Sequence, residues 1–87
     1  MEFITEENRI YTRNEEGKVI AEIEFEKVDD YVYSIYHTFV DESLRGQGVA
    51  SKLVELAVKE IESRNARVTA TCSYAKSWLV KNGKQSV

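Results

Sequence analysis

Apolar and polar residues change rhythm halfway along this chain of 87 residues. From Lys18 to Val28 they alternate: Ala21, Ile23 and Phe25 point one way, and Glu22, Glu24 and Glu26 the other. A period of two with charge on one face predicts a half-exposed antiparallel strand. Arg9–Arg13 predicts a shorter strand before it. The two are joined through Asn14-Glu15-Glu16-Gly17, where Gly17 can take positive φ without a Cβ penalty. Asp29-Asp30 ends the alternation as a second hairpin turn. Tyr31–Val40, rich in Tyr, Val, Ile and Phe, follows as a third strand. Both faces of that strand are apolar. This predicts a central strand covered on both sides, or one whose far face lines a pocket. His37 has the same parity as Ile35 and Phe39.

From Gly48 to Arg64 the rhythm becomes helical. Val49, Leu53, Leu56, Ala57 and Ile61 recur at spacings of three and four, with Lys52, Glu55, Lys59 and Glu62 largely opposite. Glu55 and Lys59 form a favourable i,i+4 pair. Arg67–Cys72 predicts one more strand, and Ser73–Asn82 a short last helix closed by Gly83. Tyr74 and Trp78 share a face of that helix, either as core, as a wall of a binding site or, for Trp78, as a dimer contact. The third strand, the long helix and the fourth strand make a right-handed βαβ unit with parallel strands. The expected class is therefore α/β in the α+β sense: a mixed, mostly antiparallel sheet with one parallel βαβ unit, a long helix and a short C-terminal helix. The length fits one domain over residues 1–87, with no linker or repeat.

Charge narrows the partners. The net charge is −3, without the basic footprint expected of a nucleic-acid binder. Glu15–Asp30 is mostly acidic, whereas Arg64, Arg67, Lys76, Lys81 and Lys84 make the last third basic. An anionic ligand on the C-terminal side and ordinary solvated faces both fit that asymmetry. No stretch is long enough to span a bilayer, and Met1–Asn8 carries three acids and no apolar run, unlike a signal peptide. A single Cys permits no intramolecular disulfide, which points to a reducing cytoplasmic setting. A small domain of this kind is expected as a monomer or weak homodimer.

The most informative stretch is Val40 to Ala50. A strand ends, a polar turn brings Arg45, Gly46 and Gly48, and a long helix begins. Helix N-termini offer unpaired N–H groups and the positive end of the macrodipole, which suits phosphate. Glycines admit close approach, and Arg45 can add a charge-assisted bond. The stretch lacks the Gly-Lys-Ser/Thr ending of a P-loop and the third glycine of the dinucleotide fingerprint. On physics alone, an ordinary Gly-containing connection fits equally well.

Arg45-x-x-Gly48-x-Ala50 resembles the acetyl-CoA pyrophosphate motif of the GNAT superfamily of N-acetyltransferases. His37-Thr38-x-Val40, then Arg45-Gly46-x-Gly48-Val49-Ala50, then Cys72-x-Tyr74 looks like the minimal single-domain GNAT-like proteins of the YjdJ type. The likeness covers nearly the whole chain. It implies acetyl-CoA as the acetyl donor and an amine as the acceptor. It also implies that Tyr31–Val40 splays from Arg67–Cys72, so that backbone near Thr38, Phe39 and Val40 pairs with the pantetheine arm. The amides of Arg45, Gly46, Gln47, Gly48, Val49 and Ala50 would hold the pyrophosphate. Larger relatives carry two further N-terminal helices and more C-terminal strands, for which this chain has no room. Ala70 stands where the subgroup often has Pro.

Two side chains are candidates for chemistry. Cys72 falls where a strand ends and a helix begins, a place that favours thiolate. The resemblance also implies a Cys in the active site there, as an acetyl acceptor or a proton-transfer group; a small buried hydrophobe is the alternative. His37, the only histidine, suits general-base work because imidazole titrates near neutral pH, although a packed core histidine is equally consistent. One His and one Cys cannot complete a tetrahedral zinc set, so no metal is expected. The alternative to an N-acetyltransferase is an acyl-CoA-binding sensor or partner module without turnover.

Overall fold

The computed structural model describes residues 1–84. Strands β1 (Ile4–Glu6), β2 (Arg9–Arg13), β3 (Val19–Asp29), β4 (Val32–Val40) and β5 (Arg67–Ala70) form one sheet in the order β1-β2-β3-β4-β5. Helix α1 (Val49–Ser63) connects β4 to β5, which pair in parallel, and α2 (Ser73–Lys81) follows β5. All other neighbours in the sheet are antiparallel. The mixed sheet and βαβ unit are those expected from the alternation of periods.

The core lies on one face of the sheet. Ile10, Ala21, Ile23, Phe25, Ile35, Val68 and Ala70 pack in one cluster with Val49, Leu53, Val54, Ala57, Val58 and Ile61 of α1 and with Ala75 and Leu79 of α2. Leu56 sits at the margin of this cluster, and Val54 and Val58 take the central positions. The core stripe of α2 is likewise Ala75 and Leu79. Tyr74 is exposed, and Trp78 docks the helix against α1 by donating from Nε1 to Ser51 Oγ at 2.9 Å.

Three features depart from the sequence expectations. A three-residue edge strand, β1, pairs with β2 through Ile4↔Tyr11 and Glu6↔Arg9; it is too short to show a period. β5 stops at Ala70, two residues early. Most consequential is a bulge in β4. Glu24 faces His37 while its neighbour Phe25 faces Ile35, so Tyr36 is the extra residue. A bulge resets the two-residue alternation. Ile35 therefore points into the core, whereas His37 and Phe39 join Glu24 and Glu22 on the opposite face. Among the described residues no helix covers that face, so β4 is covered on one side rather than both.

Arg64 at the end of α1 ties the elements together. Its guanidinium bonds Asn8 Oδ1 at 3.0 Å and the carbonyl of Glu7, pairs with Glu60 at 3.1 Å, and lies over the rings of Tyr33 and Phe25 at 5.2 and 5.5 Å. The first strand turn, the helix and the β3–β4 pair thus share one partly buried cation. Arg64→Ala should lower unfolding free energy by about 2 kcal/mol through lost charged hydrogen bonds and ring contacts. Urea denaturation checks this; a change below about 0.5 kcal/mol, the range of inert surface positions, would show that the contacts are incidental.

Candidate functional site

Asp41 begins the turn after β4. Its carboxylate accepts from the amide and hydroxyl of Ser43 at 3.0 and 2.7 Å and caps a 3-10 turn over Glu42–Leu44. These two bonds, hydroxyl first, hold the Asp41 carboxyl below its usual range. Gly46 and Gly48 then adopt φ of 82° and 71°, in the left-handed region that side chains resist. A Cβ at Gly48 would meet nothing within 4 Å, so conformation rather than crowding requires the glycine there. Gly48 is also the N-cap of α1 and supplies no side-chain cap.

The amide inventory is therefore specific. The N–H of Arg45 already donates to Glu42 O at 3.1 Å, and that of Gln47 to Leu44 O at 3.3 Å. This takes two of the six amides expected to face a ligand out of use. The N–H groups of Gly46, Gly48, Val49 and Ala50 have no backbone partner among the described residues, nor does that of Ser51. They surround a cleft of about 210 Å³ lined also by Val40, Leu44, Arg45 and Tyr74. Arg45 is exposed, with no ion pair among the described residues. An open cradle of amides at a helix N-terminus beside an unpaired guanidinium fits an anionic phosphate group.

The cleft continues toward a separation of two strands. The β4–β5 ladder runs Val32↔Arg67, Tyr33↔Val68, Ser34↔Thr69 and Ile35↔Ala70, then ends. The carbonyl of Ile35 accepts both the Thr71 and Cys72 amides, at 3.0 and 3.3 Å, which turns the chain out of the sheet. β4 itself continues to Val40. Asp41 N–H donates across β3 to Ile20 O at 2.7 Å. Backbone groups alternate sides along a strand, so those of Thr38 and Val40 face the opening and those of Phe39 face β3. Of the three residues expected to pair with an extended ligand, two present their main chain to the gap.

Cys72 stands at the mouth of this gap as the N-cap of α2. Its Sγ is 3.5 Å from Thr38 Oγ1, the side chain on the far bank of the opening. Burial pushes the thiol up. The amide of Ala75, the Thr38 hydroxyl and the amide of Tyr74 more than offset this and leave Cys72 below the ordinary thiol value. Sγ closes no cap hydrogen bond of regular geometry with those amides, which act on it as nearby donors of the first turn of α2.

His37 lies on the helix-free face, across β4 from Cys72. Its Nε2 is 3.9 Å from Glu22 Oε2, and Glu22 in turn accepts from Arg9 Nε at 2.8 Å. Glu22, Glu24 and His37 each bring one ligand atom within 4.8 Å of the others. That grouping was invisible in the sequence because it forms across strands through the shifted register. The two expected catalytic side chains therefore flank the opening from opposite faces rather than touching. Sequence reasoning also missed Leu44 and Ser51 as cleft residues. Asp41-x-Ser43 was the one local signal for how the turn is held.

A family profile described as GCN5-related N-acetyl-transferase matches residues 9–86. Among curated protein sequences no relative was found. Among solved structures, a GCN5-like protein of Staphylococcus aureus, determined by NMR, is 37% identical with a TM-score of 0.76, over 93% of this chain and 79% of that one. A Mycobacterium tuberculosis protein solved in complex with CoA shares the fold at 14% identity and a TM-score of 0.68, over 87% of this chain and 47% of its own. Ard1 of Thermoplasma volcanium is 22% identical with a TM-score of 0.68, over 88% and 54%. The chain thus spans about half the length of the latter two structures. With the profile matched over most of its length and the fold shared throughout, this chain belongs to the GCN5-related N-acetyltransferase family.

Proposed function

We propose that the protein transfers an acetyl group from acetyl-CoA to a primary amine. The observation that carries this reading is the continuity of two features: the open amides of Gly46 and Gly48–Ser51, and the strand gap beyond Ile35. A long ligand with an anionic end and an amide-bearing arm is the kind of molecule both would hold. The pyrophosphate would lie against those amides and Arg45. The pantetheine arm would pair with the Thr38 and Val40 main chain. Acetyl-CoA, once bound, supplies the activated thioester. The single free thiol accords with a cytoplasmic setting.

The placement of His37 and Cys72 on opposite faces of β4 favours direct transfer in a ternary complex. The amine approaches from the helix-free face and gives its proton to His37, which Glu22 orients. The new C–N bond forms as the C–S bond breaks, and Cys72 returns a proton to the departing CoA sulfur. Holding the reactants in line would supply a large part of the rate. A non-catalytic acyl-CoA-binding module is the second reading, favoured by the sheet face that no helix covers among the described residues. Saturable CoA binding with no turnover on a broad panel of amines would establish it.

Three measurements test these roles. By calorimetry, Arg45→Ala should weaken acetyl-CoA binding about tenfold, as expected for a lost charge-assisted bond; unchanged affinity would move the pyrophosphate elsewhere. Iodoacetamide labelling of Cys72 should rise with pH through a midpoint below that of a free thiol, and Thr38→Val should move the midpoint upward by removing one group that favours the thiolate. A midpoint indifferent to Thr38 would show that the contact across the gap is not kept in solution. His37→Gln should lower kcat roughly a hundredfold at neutral pH and flatten the acidic limb of the pH–rate profile. Retention of both would remove His37 from the chemistry.

A further inference from the structure

The helix-free face of the sheet has a composition of its own. Glu22, Glu24 and Glu26 stand in single file along β3, facing Phe39, His37 and Ser34 on β4. Glu22 is engaged by Arg9. Glu24 and Glu26 have no cationic partner among the described residues. Tyr36, the bulge residue, and Phe39 are exposed beside them. Desolvation and the carboxylates of Glu24, Glu26 and Glu22 hold the Tyr36 phenol above its ordinary value, so its hydroxyl sits within their field. Carboxylates interleaved with exposed rings are the chemistry that recognises ammonium groups.

A second observation is independent of the acids. Ser34 is 4% exposed, and its Oγ is fully buried without a hydrogen-bond partner. Cross-strand partners point to the same face, so Ser34 opposite Glu26 directs this orphan hydroxyl to the acidic row. An unmet buried hydroxyl is unfavourable, and a donor on this face would reach it once the side chains that cover it move aside.

Resting on the transferase reading, we propose that the acceptor is a linear aliphatic polyamine lying along β3. Its reacting nitrogen would sit at Glu24 and His37 beside the strand gap, and its next ammonium over Glu26. Alternate residues of a strand are about 6.5 Å apart, close to the reach of a butyl chain between two ammonium groups. A lysine-bearing peptide is disfavoured because β3 is paired on both sides and offers no free edge for a peptide backbone.

The test combines two readouts with spermidine as probe. On isotope-labelled native protein, spermidine should shift the amides of Glu24–Glu26 and Tyr36–His37, whether or not turnover occurs. In acetyl-transfer assays the KM for spermidine should lie at least about tenfold below those for butylamine and a lysine-bearing peptide, and Glu24→Gln with Glu26→Gln should raise it roughly tenfold. Equal KM values for the three amines, or shifts confined to other surfaces, would overturn the polyamine assignment while acetyl-CoA still bound. Failure of the native protein to bind acetyl-CoA would instead overturn the transferase reading.

Discussion

The carbonyl of Ile35 accepts two hydrogen bonds, from Thr71 and from Cys72, and most of the site follows from that. In a continuing parallel ladder the bonds are evenly spaced and each strand advances with its neighbour. Here two successive amides converge on one oxygen, so β5 can go no further beside β4. The remaining residues of β4 keep β3 as partner on one side and have an open edge on the other. An open edge is ordinarily a hazard for a small domain. In this fold it is short, recessed between a strand and a helix, and aligned with the glycine turn at the start of α1. The same convergence sets Cys72 at the first turn of α2, facing Thr38.

Among the described residues, helices cover one face of the sheet. α1 and α2 take the apolar face, and the other carries charge. That division leaves two directions of approach: the cleft between β4 and the helices, where we propose that an anionic ligand binds, and the opposite face, where we propose that the acceptor lies. The β4 bulge connects them. By resetting the alternation at Tyr36 it keeps Ile35 in the core and brings His37 to the acidic face, while Thr38 stays on the side of Cys72. Had β4 alternated regularly through Tyr36, the His37 side chain would share the face of Ile35 and lie in the hydrophobic cluster, where it would need a buried partner.

Arg64 performs a comparable task for the framework. One cation serves the first strand turn, α1 and the aromatic pair Phe25–Tyr33, whose rings meet edge to face with centroids 6.3 Å apart. With no disulfide available, such shared contacts limit how far the N-terminal strands can separate from the helix that bears the glycine turn.

Local pattern was enough to locate β2, β3, β4, α1 and α2, because each is long enough to show its period and is bounded by Gly, Asp or Asn. It also marked the glycine turn, since positive φ and a helix start leave a direct signature in residue types. The acidic face of β3 was legible for the same reason. The sequence by itself therefore determined the elements, the buried stripe of the sheet and the position of the glycine turn. Only the tertiary structure decided which amides of that turn are open, on which side His37 emerges, where the β4–β5 ladder ends, and that Cys72 meets Thr38. Each of these depends on register between distant segments, and a one-residue shift in register exchanges the two faces of a strand without altering its pattern.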